Sequence, residues 1–288
     1  PLMLPLAEKA LAGDGVSEID TVRLLRVCGQ IKGEEVEALM RRNLDHSADG
    51  VRDQVLAVLA ACDFRAESAD LPALNRVLVR DVDYGHRIMI AKQDVGQSEP
   101  VEPLQNALSD DLMQVRRRVF WILSFIYDSR SVLRAQSQLT LGSSAQMALA
   151  LEMLEVTISA DHRALAFPLI EPKLEPAQRI SLLNKRFKNE SLHRDQRLRA
   201  LIQERGQGWT RACAIYAATK LGAVGQLAAE DMVPIFELAL ADADPIVRET
   251  AAWGLHKLAP ERFSAHAESL LADEDWQVAR LAADLAAT

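Results

Sequence analysis

Aromatic side chains are scarce in this chain of 288 residues, at 5% of the total, and cysteine is scarcer still, with three. Few aromatics and no strict alternation of Val and Ile leave little from which to build a β-sandwich or barrel, so essentially no sheet is expected. Cys28, Cys62 and Cys213 are odd in number and far apart, which argues against a disulfide framework or a cysteine-held zinc site. Each stands in an apolar helical context and reads as a reduced core residue of a cytosolic protein. No apolar run approaches the roughly 20 residues of a membrane-spanning helix. The best candidate, residues 119–127, is short and follows Arg116, Arg117 and Arg118. No secretory leader is visible, and the first residue is Pro1 rather than Met, which reads as a piece of a longer protein.

The chemistry-bearing patterns are missing too. Six histidines, His46, His86, His162, His193, His256 and His266, have no adjoining Glu and no partner at i, i+4. Two imidazoles must project from one helix face to hold zinc, so that arrangement is excluded, as is resemblance to helical-repeat hydroxylases that hold iron with His-Glu pairs. No phosphate-cradling Gly loop, nucleophile elbow or paired-cysteine motif occurs. Gly206-Gln207-Gly208 lacks a preceding strand and a third Gly, and reads as a helix-terminating turn. The carboxylate pairs Glu34-Glu35, Asp110-Asp111 and Asp242 with Asp244 read as helix-start residues favoured by the positive end of the dipole. No cofactor, metal or small-molecule substrate is indicated, and the chain is expected not to be an enzyme.

What the chain does have is 49% hydrophobic residues, dominated by Ala and Leu, arranged at helical spacing. One unit is clearest: Asp244-Pro245-Ile246-Val247-Arg248-Glu249-Thr250-Ala251-Ala252-Trp253-Gly254-Leu255. Asp244-Pro245 reads as an N-cap followed by Pro at the first helical position. The same pattern returns as Val51-Arg52 with Val55, Leu56 and Leu59, and as Val115-Arg116 with Val119, Phe120 and Leu123. It returns again as Ala145-Gln146 with Leu149, Ala150 and Met153, as Thr210-Arg211 with Ala214, Ile215 and Ala218, and as Val278 with Ala282 and Ala283. Offsets of three and four put each set on one stripe of a helix. Arg52, Arg116, Arg211 and Arg248 share a position at the start of these helices, suited to binding carbonyls or acidic groups of a neighbouring unit. Of the tryptophans, Trp121 and Trp253 have core-compatible spacing, whereas Trp209 and Trp276 stand at helix starts and are expected to be partly exposed. Helix–turn–helix units that cannot bury their apolar face alone must stack.

The Asp-Pro-x-Val-Arg-x-x-Ala-Ala segment at 244–252 resembles the HEAT repeat family of helical-hairpin solenoids. That resemblance implies an all-α fold, a right-handed α-α superhelix with a concave binding face. The chain is therefore read as a single elongated solenoid over 1–288, with 97–100 the best candidate for a kink between an N-terminal and a C-terminal part. Sixteen helices are expected, with turns at Gly13-Asp14-Gly15, Gly33, Gly142-Ser143-Ser144, residues 206–208, 242–244 and 273–275. A weaker resemblance lies in residues 118–128, 148–155 and 167–171. They look like the soluble HEAT region that some bacterial proteins fuse to an ADP/ATP translocase-like transporter domain.

Formal charge is −8, which argues against a dedicated duplex-DNA binder. Residues 179–211 nevertheless hold nine basic groups against Glu190, Asp195 and Glu204, a local +6 in a chain that otherwise carries −14. Lys185, Arg186, Lys188, Arg194 and Arg197 are the candidates for a face that contacts an anionic partner, with a membrane surface or acidic protein favoured over DNA. The leading reading is a non-enzymatic scaffold that binds a protein or membrane-linked partner domain, in the cytoplasm and as the regulatory part of a larger membrane transporter. A helical-repeat DNA glycosylase, using Trp209, Arg211 and the basic stretch, is the first alternative, though no Trp-x-x-x-Asp constellation accompanies them. A HEAT-type chromophore lyase or chaperone is the second. The scatter of His and Cys predicts that chelator-washed protein carries no stoichiometric transition metal by elemental analysis.

Overall fold

The computed structural model describes residues 3–13, 15–31, 33–204 and 206–287. Pro1, Asp14 of the first expected turn and Arg205 of the basic stretch lie outside them. Among the described residues there are sixteen α-helices and no strand. They are Met3–Leu11 (α1), Glu18–Ile31 (α2), Glu34–Arg42 (α3), Asp49–Ala61 (α4), Leu71–Val95 (α5), Glu102–Ile126 (α6), Ser129–Leu141 (α7) and Ser144–Thr157 (α8). Then come Ala160–Ile170 (α9), Pro176–Asn184 (α10), Arg194–Gln203 (α11), Gly208–Ala223 (α12), Ala229–Ala239 (α13), Pro245–Leu258 (α14), Pro260–Leu271 (α15) and Trp276–Ala286 (α16). Between α5 and α6, Gly96 at φ 72 is followed by a short 3-10 turn, Glu99–Val101, so 97–100 is an inter-helix connection.

The chain divides into two compact units. The first comprises residues 1–86 and 113–188; the second comprises 87–112 and 189–288, and each takes one end of α5 and of α6. In the first unit α2 packs on α4, α7 on α8 and α9 on α10. In the second, short turns join α11 to α12, α13 to α14 and α15 to α16, and each pair packs together. The second members of the pairs also pack on one another, α12 on α14 and α14 on α16. That is the stacking expected of units too thin to hide an apolar face alone.

Capping sets where several helices begin. Asp244 accepts from the Ile246 amide at 3.1 Å, with Pro245 at the first helical position, and Asp275 accepts from the Gln277 amide at 2.9 Å. Asp128, Ser143 and Ser159 cap α7, α8 and α9 in the same way. The shared arginines follow directly. Arg248 grips Asp273 with Nε at 2.9 Å and Nη2 at 2.7 Å, and donates through Nη1 to the Asp242 carbonyl at 2.9 Å. Arg211 donates to the Ile202 carbonyl at 3.0 Å and pairs with Asp242. Arg116 donates to the Leu169 carbonyl at 2.7 Å, and Arg52 to the His46 carbonyl at 2.9 Å. In the second unit these side chains tie each pair to the turn of the next. Charge-assisted bonds satisfy loop carbonyls that stacking has taken from water.

The repeat register holds at Val51, Val55, Leu56 and Leu59, at Val115, Val119, Phe120 and Leu123, and at Ala214, Ile215 and Ala218, all buried. It fails in α8, where Leu149 is 57% exposed while Ala150 and Leu154 are buried. The reason is visible in the helix: α8 is apolar on nearly every side, so periodicity could not select the inward stripe. Gln146 is committed to the Ser143 capping box instead. At the other end of the chain Val278 and Ala282 are buried and Ala283 is exposed. The pair Asp110-Asp111 also departs from expectation. It lies inside α6, where buried Asp111 accepts from Thr210 Oγ1 at 2.7 Å; proximity to this carboxylate adds to burial in raising the Cys213 thiol to about 11.

Val247, Ala251 and Leu255 are each fully buried. Ala251→Leu should therefore overpack α14 against its neighbours and cost about 1–3 kcal/mol. Urea denaturation checks this: a lowered midpoint with unchanged slope is expected.

Candidate functional site

The seam between α12 and α14 is lined with small side chains: Ala214, Ala217 and Ala218 on one helix, Ala251, Ala252 and Gly254 on the other, all buried. Gly254 sits where a Cβ would meet Thr219 Oγ1 at 2.7 Å and the Phe236 ring at 2.9 Å. Only a glycine lets the helices close there. Closure aligns two half-buried rings at the solvent face: Tyr216 and Trp253 stack with centroids 5.4 Å apart and planes 11° from parallel. An offset stack of this kind is a favoured aromatic geometry. Lys220, one turn after Tyr216, places Nζ 5.5 Å from the Tyr216 ring and 5.9 Å from Trp253.

The same face continues along both helices. Trp209, seven residues before Tyr216 and thus on the same stripe, is 58% exposed. On α14, Glu249 stands one turn before Trp253 and exposed Lys257 one turn after. The surface is therefore ordered: an exposed indole, a stacked ring pair, then two lysines at the C-terminal ends. Sequence spacing had placed Trp253 in packing; most of the ring is covered, in part by Tyr216, and the remainder reaches water. Trp209 and Trp276 are exposed as expected, at 58% and 65%. The signal that could have found the ring pair is the repeat register itself, since Tyr216 and Trp253 follow Arg211 and Arg248 by five residues each.

The basic stretch 179–211 is dispersed by the fold. Arg197 is buried: its Nε meets Asp94 at 2.8 Å and Nη2 donates to the Glu190 carbonyl at 2.9 Å. Asp94, 2% exposed in its side chain, needs that cation, so Arg197 is withdrawn from any exposed face. Arg179 is likewise buried, and donates to the carbonyls of Pro168, Leu169 and Glu171 at the end of α9 and of Leu174 just before α10. Burial lowers its pKa. Arg199 pairs with Asp231 at 2.6 Å and Arg211 with Asp242. Arg194 lines a small cleft of the second unit, about 330 Å³, whose walls include His193, Gln226, Asp195 and Asp231, a mixed-charge setting. Lys185, Arg186 and Lys188 are exposed just past α10 in the first unit, without an ion pair among the described residues. Cations there also suit the negative end of the helix dipole.

Two polar clusters in the first unit escaped sequence reasoning, because the side chains that meet in them come from residues 28 or more apart. Arg118, buried, donates to both oxygens of Asp81 at 3.1 and 3.2 Å and to Asp53 at 3.0 Å. Burial raises both carboxylic acids against the pull of Arg118, Asp53 to about 6. Separately, His162 meets the Tyr127 hydroxyl at Nδ1 (2.8 Å) and Asn75 Oδ1 at Nε2 (2.8 Å), while the Ser159 amide donates to the Tyr127 oxygen at 3.1 Å. One tautomer satisfies all three contacts, with Nε2–H donating to Asn75 and Nδ1 accepting from tyrosine. Burial lowers the His162 pKa, which favours the neutral ring. Among the described residues no group of three or more His, Cys, Asp or Glu is placed to hold a metal ion.

Residues 232–261, most of α13 with all of α14, match the HEAT repeat family model. The chain carries a HEAT repeat. The matched HEAT segment contains Trp253, and the stacked pair joins it to the unit before it. HEAT repeats commonly mediate protein–protein interaction. No curated protein matches the chain. Among the described residues no helix is long and apolar enough to cross a membrane.

Asp53 offers a pH test. Its folded pKa lies above the ordinary carboxylate value, so the protonated form favours the fold, and that contribution fades as pH rises from about 4 through about 6. Asp53→Asn should thus gain thermal midpoint over the native chain progressively across that window. Parallel midpoints from pH 4 to pH 7 would contradict it. Arg118→Ala, which strands both carboxylates, should cost about 3–5 kcal/mol at neutral pH.

Proposed function

We propose that this protein is a non-enzymatic interaction scaffold that binds a protein partner on the solvent face of α12 and α14. The observation that carries the reading is the stacked Tyr216–Trp253 pair with Lys220 beside it, partly open to water on a rigid two-helix base. Trp and Tyr supply large apolar area at little entropic cost, and such anchors dominate protein interfaces. The Tyr216 hydroxyl, the Trp253 indole N–H and the Lys220 ammonium form no hydrogen bond or ion pair with any described residue. These donors are kept available on that face.

The finer reading, a regulatory part of a membrane transporter, concerns a spanning domain that would have to be supplied by other residues or another chain. Its support is the likeness of 118–128, 148–155 and 167–171 to transporter-linked HEAT regions. Lys185, Arg186 and Lys188 remain the proposed contact for an anionic surface in that setting.

Selection of a random peptide library displayed on phage against the immobilised chain tests the scaffold reading. Enrichment of a consensus whose binding Trp253→Ala reduces at least tenfold, with helical content unchanged by circular dichroism, is expected. No consensus, together with salt-sensitive retention of duplex DNA, would sink the reading and favour the glycosylase-like alternative.

A further inference from the structure

We infer that the α12–α14 face takes an extended acidic peptide, with two apolar side chains about three residues apart and carboxylates at one end. The inference rests on the scaffold reading and deepens it by naming the chemistry of the partner.

Spacing sets the first part. Trp209 and Tyr216 are seven residues apart on one helix, roughly 10 Å at 1.5 Å per residue. An extended chain covers that in about three residues. One apolar side chain can therefore rest on the exposed Trp209 indole while another covers the edges of the Tyr216–Trp253 stack. Lys220 follows Tyr216 by four residues, and Lys257 follows Trp253 by four. Both lysines are therefore carried one turn beyond the stacked rings, on adjacent helices, with the Lys220 ammonium folded back beside the stack. The same step of about 6 Å is one or two peptide residues further on.

Charge sets the second part. Neither lysine has an ion pair among the described residues, and both are exposed. Glu249 stands at the opposite side of the rings, so the electrostatic field along the face runs from negative before the stack to positive after it. A carboxylate belongs at the lysine end, where the Tyr216 hydroxyl and Trp253 N–H add donors. A cationic ligand is disfavoured because Lys220, with Nζ 5.5 and 5.9 Å from the two ring centroids, already sets a positive charge beside the stack. A nucleobase is disfavoured as well. Platforms for single strands combine free ring faces with a basic groove along the backbone, whereas here each ring of the pair has one face against the other and Glu249 stands before the stack.

The test uses the full chain and four fluorescein-labelled probes, read by anisotropy at low and moderate salt. Three are nine-residue peptides with Leu and Phe three positions apart, followed by two aspartates, two lysines or two serines. The fourth is a thymidine nonamer. The aspartate peptide should bind best, at least tenfold tighter than the lysine peptide, and weaken with salt. Trp253→Ala should weaken every peptide at least fivefold. The double variant Lys220→Glu with Lys257→Glu, on the solvent face and expected to fold, should reverse the preference toward the lysine peptide. If the native chain binds the serine or lysine peptide as well as the aspartate one, with Trp253 still required, the acidic specificity is overturned while the scaffold reading stands. If no peptide binds and the library selection also yields no consensus, both fall. Tighter binding of the nonamer than of any peptide overturns the acidic-peptide assignment in favour of single-stranded nucleic acid.

Discussion

Two helices that meet through hydrogen and methyl groups can approach more closely than helices carrying larger side chains, and the features of the second unit depend on that approach. At Gly254 the neighbours Thr219 and Phe236 already fill the space that a Cβ would take. With Ala214, Ala217, Ala218, Ala251 and Ala252 buried along the same seam, α12 and α14 lie close along their facing surfaces. The stacked rings follow from it. Tyr216 and Trp253 occupy equivalent positions of successive units and touch because their helices do. The aromatic surface is thus a by-product of core packing turned outward, and its rigidity is that of the seam beneath it.

Charge is distributed by a second constraint, that buried polar groups find partners. Arginines are drawn inward to satisfy carbonyls and carboxylates: Arg197 on Asp94, Arg179 on the end of α9, Arg248 on Asp273, Arg118 between Asp53 and Asp81. The side-chain hydrogen bond from Arg248 holds Asp273 below its ordinary value, whereas burial overrides Arg118 at Asp53. Asp273 accepts two bonds from Arg248 and one from the Asp275 amide, whereas Asp53 accepts one, at 3.0 Å, from an Arg118 that it shares with Asp81. Lysines, with compact and strongly hydrated charges, stay outside. The basic character of residues 179–211 therefore divides between arginines used within the fold and lysines left at the surface.

The sequence by itself determined the helical class, the places where helices begin and end, and the repeat. Those are local matters: Asp244-Pro245, Ser143 with Gln146 and the three-and-four spacing of Val247, Ala251 and Leu255 act within one or two turns. The role of the repeat-position arginines was also legible, because a guanidinium at the start of a helix has few other acceptors than the neighbouring turn. Tertiary structure alone decided which stripe of α8 faces inward, since a helix apolar on all sides offers no contrast for periodicity to detect. It alone decided that Arg197 is inside and Lys220 outside, that Asp53 and Asp81 share one cation, and that Tyr127, His162 and Asn75 meet. The physical reason is common to all of these: the outcome turns on burial and on pairing between residues tens of positions apart, and a count of charges along the chain contains neither quantity.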